Sequence, residues 1–454
     1  MSPQNVKYAT FKNQSLFHFI IIATTNETKK KGLNIMNVFL KNKDYRRFSV
    51  ASFLSTAGDV FFYLAFMTYA SKLHNYSLAL SLIAISESIP RLFDIFGGFL
   101  ADKTRNKFKS IFLMAVVRFV LYGIVGLLFV SNVSQWNLVI IVVIINFLSD
   151  TFGAYSTGLI APLIIDIVGK EEFGEAEGFT NGVSEVINTI AQFVGSGLLL
   201  FLSFANLAFI NAITFMVAGL LFLSVGLKHR KDQKPLEAQE VNDQKFFATM
   251  KSSYKQMKKA QGLLTVIFVI ALLNGILTAL GSLIPIMIAG NKSTMIITSY
   301  SFTIAVMGVV VSVGAILGSM FGPQLFKKAL VFTITILAII LSFATTVATI
   351  LANIYAVLAV YFLLAATASI ASIKMQQWLV NTIEHKILAS SVGLLNTILM
   401  AVAPIFTTIM TSISGFVSVK YALFTLIAIE VIILFVAIKM GIKNKVKAEI
   451  NTVQ

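Results

Sequence analysis

The chain has 454 residues, 57% of them hydrophobic and only 12% charged, with a mean hydropathy of +0.84. A soluble domain carries roughly twice that charged fraction, and apolar runs long enough to cross a hydrocarbon core recur along the whole length. This describes a polytopic all-α membrane protein and excludes a membrane barrel, whose strands alternate polar and apolar residues in short segments.

The formal charge of +16 sits in short loops and tails beside apolar runs. There it fixes topology and meets anionic lipid in the bilayer, so no nucleic acid is expected as a partner. The chain contains no cysteine, which removes disulfides and thiolate metal sites. The histidines His18, His74, His229 and His385 are scattered without ligand spacing. No metal, redox centre or cofactor is expected.

Residues 1–35 are polar and basic apart from Leu16 to Ala23, a run too short to span and lacking a convincing cleavage site, so a signal peptide is rejected. They read as a disordered tail or as sequence upstream of the true start, and residues 1–46 as an amino-terminal cytoplasmic tail. The length rule then yields about twelve spans: 47–70, 77–100, 110–131, 136–160, 178–203, 205–226, 262–289, 297–321, 330–350, 353–377, 388–412 and 416–438. Alternate connections carry the bases: Lys103, Arg105, Lys107 and Lys109; then Lys228 to Lys259; then Lys327 and Lys328; finally Lys439 to Lys447. The opposite set holds little more than Lys72, Lys292 and Lys420. This bias places both termini in the cytoplasm of a multi-pass plasma-membrane protein.

The polar stretch 227–261 divides the spans into two equal sets, 47–226 and 262–438, with 439–454 as a cytoplasmic tail. Ile95-Phe96-Gly97 resembles Ile316-Leu317-Gly318, and Gly178-Phe179-Thr180-Asn181 resembles Gly393-Leu394-Leu395-Asn396. The two pairs have nearly equal offsets in matching topological places, as a duplicated six-helix unit would give.

Between the second and third spans the text reads Gly97-Gly98-Phe99-Leu100-Ala101-Asp102-Lys103-Thr104-Arg105-Asn106-Lys107. Together with the two equal sets of spans, Gly98, Leu100, Ala101, Asp102 and Lys107 make the chain, from about Met36 onward, resemble the major facilitator superfamily. That family's motif there is G-x-L-A-D-x-x-G-R-K/R. Arg105 stands in place of its Gly and Asn106 in place of its Arg. Ser52 to Asp59, Pro90, Arg118 and Pro162 to Asn181 resemble the macrolide-efflux and siderophore-exporter branch of drug/proton antiporters. The resemblance implies two six-helix bundles around a central cavity that opens alternately to each side. It further implies that Asp102 latches onto the start of the eleventh span, here near Ser390 and Ser391, where a helix amino terminus welcomes an acid.

An ionisable residue inside a span is costly and marks a candidate functional site. Asp59 lies about 12 residues into the first span, roughly 18 Å deep. A carboxylate at that depth suits either proton binding and release or a fixed bond to a neighbouring helix. Glu87, Arg91 and Asp94 share one helical face, as an internal salt-bridge ladder or as a set in which Glu87 changes partner. Arg118, Asp150 and Glu185 come at similar depths, so Arg118 is expected to pair with Asp150 or Glu185.

Asn274, Gln376 and Gln377 are candidate cavity polar groups. Lys374 is expected to snorkel to the interface, and Glu430 to face lipid or an oligomer contact. Most of the Phe and Met residues are read as packing or lipid-facing, with a few able to form a broad apolar pocket.

These readings converge on a secondary transporter working by alternating access. Export of a hydrophobic or amphipathic small molecule in exchange for protons is the leading reading, by a protein expected to be a monomer. A proton-driven importer of a small metabolite is the alternative, with a channel or scramblase behind it. The chain has no clustered acids and histidines at the interface, as a membrane enzyme would need. It also lacks a Walker-type phosphate loop, which argues against ATP drive.

Overall fold

The computed structural model describes residues 37–94, 100, 104–229, 263–327, 329–382 and 388–453. A short helix α1 (Asn37–Lys41) leads into α2 (Lys43–Ala70), which Asn42 caps by accepting the amides of Asp44 and Tyr45. Then come α3 (Tyr76–Ser88), α4 (Lys107–Val130), α5 (Gln135–Leu198) and α6 (Phe204–His229). The second half runs through α7 (Leu263–Gly290), a single turn α8 (Lys292–Met295), α9 (Tyr300–Leu325), α10 (Val331–Ile350), α11 (Ile354–Thr382), α12 (Leu388–Phe416) and α13 (Val419–Val453).

Among the described residues ten helices are long and apolar enough to cross a membrane. The 64-residue α5 accommodates two of the expected spans, and α3 another, which accords with twelve. The residues expected to form a loop between the fourth and fifth spans are helical instead. The chain breaks only at Gly169, whose φ of 82° is open to glycine and strained for other residues. Helix α6 continues to His229 and α13 to Val453, so parts of the expected linker and tail extend membrane helices.

The helices form two bundles. In the first, α6 packs against α2 and α4, and α5 against α2 and α4. In the second, α9 packs on α11, α10 on α11 and α13, and α12 on α7 and α13. Apolar side chains fill both, with Tyr45, Phe48 and Ile164 at one end of the first and Leu263, Ile267 and Met375 at the corresponding end of the second. Where helices must approach closely, glycine permits it: a side chain at Gly58 would meet Thr214, and one at Gly226 would meet Phe108.

Lys228 and His229 at the end of α6 bind Asp44 at the start of α2, 2.7 and 3.2 Å apart. This locates the end of the molecule where the basic connections lie. Among the described residues, the hydrogen bonds and close contacts between the bundles named next lie in the other half. Ser77 donates to the Ser414 carbonyl at 3.0 Å, and Ser196 to Ser301 at 3.1 Å; Phe193 stacks edge-on against Phe302, and Tyr76 lies over Gly290.

Candidate functional site

A cavity of about 450 Å³ lies between the bundles. Asp59, Glu87, Arg91 and Asp150 line it on one side, and Gly281, Pro285, Met307 and Tyr361 on the other. A second cavity of about 330 Å³ continues from the same acids toward the basic end along Ser52, Asp94 and Asn181. Charge is concentrated on the wall of the first bundle, and the opposing wall is apolar with scattered hydroxyls.

Arg118 of α4 is the centre of that charged wall and is 8% exposed. Its Nη2 donates to both oxygens of Asp59 from α2, at 3.1 and 3.0 Å, and stands 3.9 Å from Oδ1 of Asp150 on α5. Its Nε donates to Ser149 Oγ at 2.9 Å, and the guanidinium stacks over Phe215 at 3.8 Å. A buried guanidinium needs this saturation, because hydrogen bonds and counter-charge replace the water it has lost.

The sequence expectation that Arg118 pairs with Asp150 or Glu185 is half met. Asp150 is the longer contact, Asp59 is the close partner, and Glu185 is exposed on the far stretch of α5. Depth along a helix locates a residue along the membrane normal. It leaves open which way the residue faces, and that decides between partners at one level.

Asn146, one turn before Asp150, joins the remaining acid to this set. Its Nδ2 donates to Glu87 Oε1 at 2.9 Å and to Asp150 Oδ2 at 3.1 Å, while Tyr122 donates to its Oδ1 at 2.7 Å. An amide carries two N–H donors, enough for one bond to each carboxylate. Asp59, Arg118, Asp150, Asn146 and Glu87 thus form one chain across four helices. Asn146 was missed at the sequence level, although an amide one turn from an intramembrane acid signals a shared helical face.

The expected ladder through Glu87, Arg91 and Asp94 does not form as ion pairs. Glu87 is taken by Asn146, Arg91 is exposed, and both Arg91 and Asp94 line the cavity, where water competes for them. Asn274 lines, with Thr278 and Ser282 of α7, a third pocket of about 620 Å³ that adjoins the first cavity through Arg91, Gly281 and Tyr361. Gln376 and Gln377 are exposed one turn beyond Ser372, outside the cavity walls just described.

Lys374, expected to snorkel, is buried. Glu430 faces neither lipid nor another copy: it is fully buried, with Ser342 and Thr346 bonded to it.

Of the latch motif, Gly98 and Asp102 lie outside the described residues, as do the side chains of Ser390 and Ser391. Leu100 and Arg105 are exposed, and Lys107 is buried and donates to the Thr104 carbonyl at 3.3 Å. Asn106, the departure from the motif, caps α4 by accepting the Lys109 amide at 3.0 Å. Thr104 is tied to Tyr155 of α5 at 2.6 Å, which anchors the turn to the bundle.

Among solved structures the chain is similar to a variant of the nucleoside transporter NupG, with a TM-score of 0.67 and 11% identity over 88% of this chain and 100% of that one. It is similar as well to a bacterial homologue of the iron transporter ferroportin in its inward-facing state, with a TM-score of 0.65, 14% identity, and coverage of 88% and 98%. The peptide transporter POT in complex with sulfate matches with a TM-score of 0.62, 10% identity, and coverage of 88% and 95%. At these identities the likeness is one of fold. No curated protein sequence matches the chain significantly. The model of the Major Facilitator Superfamily matches residues 48–408. Two helical bundles, a cavity between them and this match across most of the sequence make the chain a member of the Major Facilitator Superfamily.

Proposed function

We propose that this transporter exports a hydrophobic or amphipathic small molecule across the plasma membrane in exchange for protons, as a monomer with both termini in the cytoplasm. The bundles are residues 47–226 and 262–438, joined by a cytoplasmic linker at 227–261. The observation that carries the reading is the excess of acid in the cavity wall. Asp59 and Asp150 gather at Arg118, Asn146 offers only neutral donors to Glu87 and Asp150, and Asp94 and Arg91 line the same wall.

Four ionised carboxylates, Asp59, Glu87, Asp94 and Asp150, beside two guanidiniums, Arg91 and Arg118, leave uncompensated charge in a low-dielectric site, and protons are the available remedy. A substrate that enters from the cytoplasmic side and displaces such a proton is exchanged for it. The apolar opposing wall, with Met307, Pro285 and Tyr361, suits a ligand that presents a hydrophobic body to it. With the basic end cytoplasmic, the Ser77–Ser414 and Ser196–Ser301 contacts on the opposite side support an inward-facing reading of this conformation, the state that loads an export substrate.

The test is flux in proteoliposomes under an imposed pH gradient, across a panel of amphipathic compounds. Wild-type flux is expected to follow the gradient in the export direction. Glu87→Gln and Asp150→Asn are expected to lose gradient-driven accumulation while keeping downhill exchange. Wild-type flux indifferent to the gradient sinks the proposal, and accumulation in the proton direction makes the protein an importer.

A further inference from the structure

Between Leu263 and Met440 the sole acidic residue among the described ones is Glu430, in the middle of α13. Its side chain is fully buried. Oε1 meets the hydroxyls of Ser342 at 2.5 Å and Thr346 at 3.0 Å, both from α10, and Oε2 is buried with no partner. Helices α7, α10 and α12 pack against α13, and none of the three carries a charged or titratable residue in its described length. On α13 itself Lys420 and Lys439 are about 15 Å away along the axis, toward its two ends.

An ionised Glu430 would therefore be an anion without counter-charge inside the membrane, hydrogen-bonded on one oxygen only. Such groups take up a proton rather than bear the loss of solvation. We propose that Glu430, Ser342 and Thr346 form a proton-binding site in the second bundle, separate from the acids around Arg118, and that it is occupied in this conformation. With the proton on Oε1, the carboxyl O–H donates to Ser342 Oγ. The Thr346 hydroxyl then donates to the Ser342 carbonyl, 3.1 Å away, and Oε2 remains a plain carbonyl acceptor. That one assignment fits the close contact and leaves no buried charge. The proton can leave only when α13 separates from α10 far enough to admit water, so its release reports rearrangement within the second bundle.

The test is infrared spectroscopy of the reconstituted wild-type protein, Glu430→Gln and Ser342→Ala at neutral pH, in light and heavy water. The wild-type-minus-Glu430→Gln difference is expected to contain one protonated-carboxyl carbonyl band that shifts in heavy water. In Ser342→Ala the same band is expected to move, because its hydrogen bond is lost. That shift also carries the assignment if Glu430→Gln fails to insert. A carboxylate pair of bands at Glu430, or a spectrum unchanged by Ser342→Ala, overturns the proposal. So does a melting temperature raised by sodium over choline in the wild type and unresponsive in Glu430→Gln, which would make the occupant a metal cation.

Discussion

Arg118 decides the stability of the acid cluster more than any other side chain, because among the described residues it alone sits within ion-pairing distance of both Asp59 and Asp150. Removing one partner of a buried pair costs about 3–5 kcal/mol. The lower part of that range applies here, since the Asp59 side chain keeps 36% exposure to the cavity. Arg118→Ala is expected to lower the melting temperature in detergent. Adding Asp59→Asn should restore more of it than adding Asp150→Asn, in the order of the 3.0 and 3.9 Å separations. Equal or greater rescue by Asp150→Asn would reverse the assignment of the close partner. At this scale the sequence revealed which residues matter and left their pairing open. Asp59, Glu87, Arg118 and Asp150 stand out as charges in apolar text. Asn146, Tyr122 and Ser149, which complete their bonds, look like ordinary polar residues among many.

At the scale of elements, α9 and α11 are held together by Gly314, Gly318 and Gly322, spaced one turn apart along a single face. A side chain at Gly318 would run into the Ala366 carbonyl, and main chain cannot swing aside as a flexible side chain can. Overpacking of this kind costs about 1–3 kcal/mol. Gly318→Val is expected to lower the melting temperature and the yield of folded protein, whereas Gly123→Ala, with open space around it, should not; equal losses would make helix approach irrelevant at Gly318. Apolar run length located nearly every helix correctly. It failed over 161–177 because hydropathy reports burial in lipid, and α5 stays helical after it becomes polar. Glu430 was misread for a related reason. A lone acid in an apolar helix reads the same whether it faces lipid or a neighbour, and the hydroxyls that receive it are 84 and 88 residues away in sequence.

For the whole molecule, the described residues join the two bundles in the half away from the basic connections, and the Ser196–Ser301 bond lies across that seam. The chain contains no native cysteine, so Ser196→Cys with Ser301→Cys introduces a thiol pair without background. Oxidation is expected to join the bundles and stop transport, and reductant to restore it. Full activity after complete cross-linking would show that the seam does not open during the cycle. The unequal distribution of charge between the bundles has an electrical consequence. Asp59, Glu87, Asp150 and Arg118 all belong to the first bundle, while the facing helices of the second contribute no ion pair among the described residues. A transmembrane voltage acts on charge, at about 2.3 kcal/mol per elementary charge per 100 mV, so the field acts mainly on the first bundle, with Lys374 the buried cation it meets among the described residues of the second. The first bundle is then the voltage-sensitive arm of the molecule, and how strongly the field turns it depends on how many of its acids hold a proton when it moves.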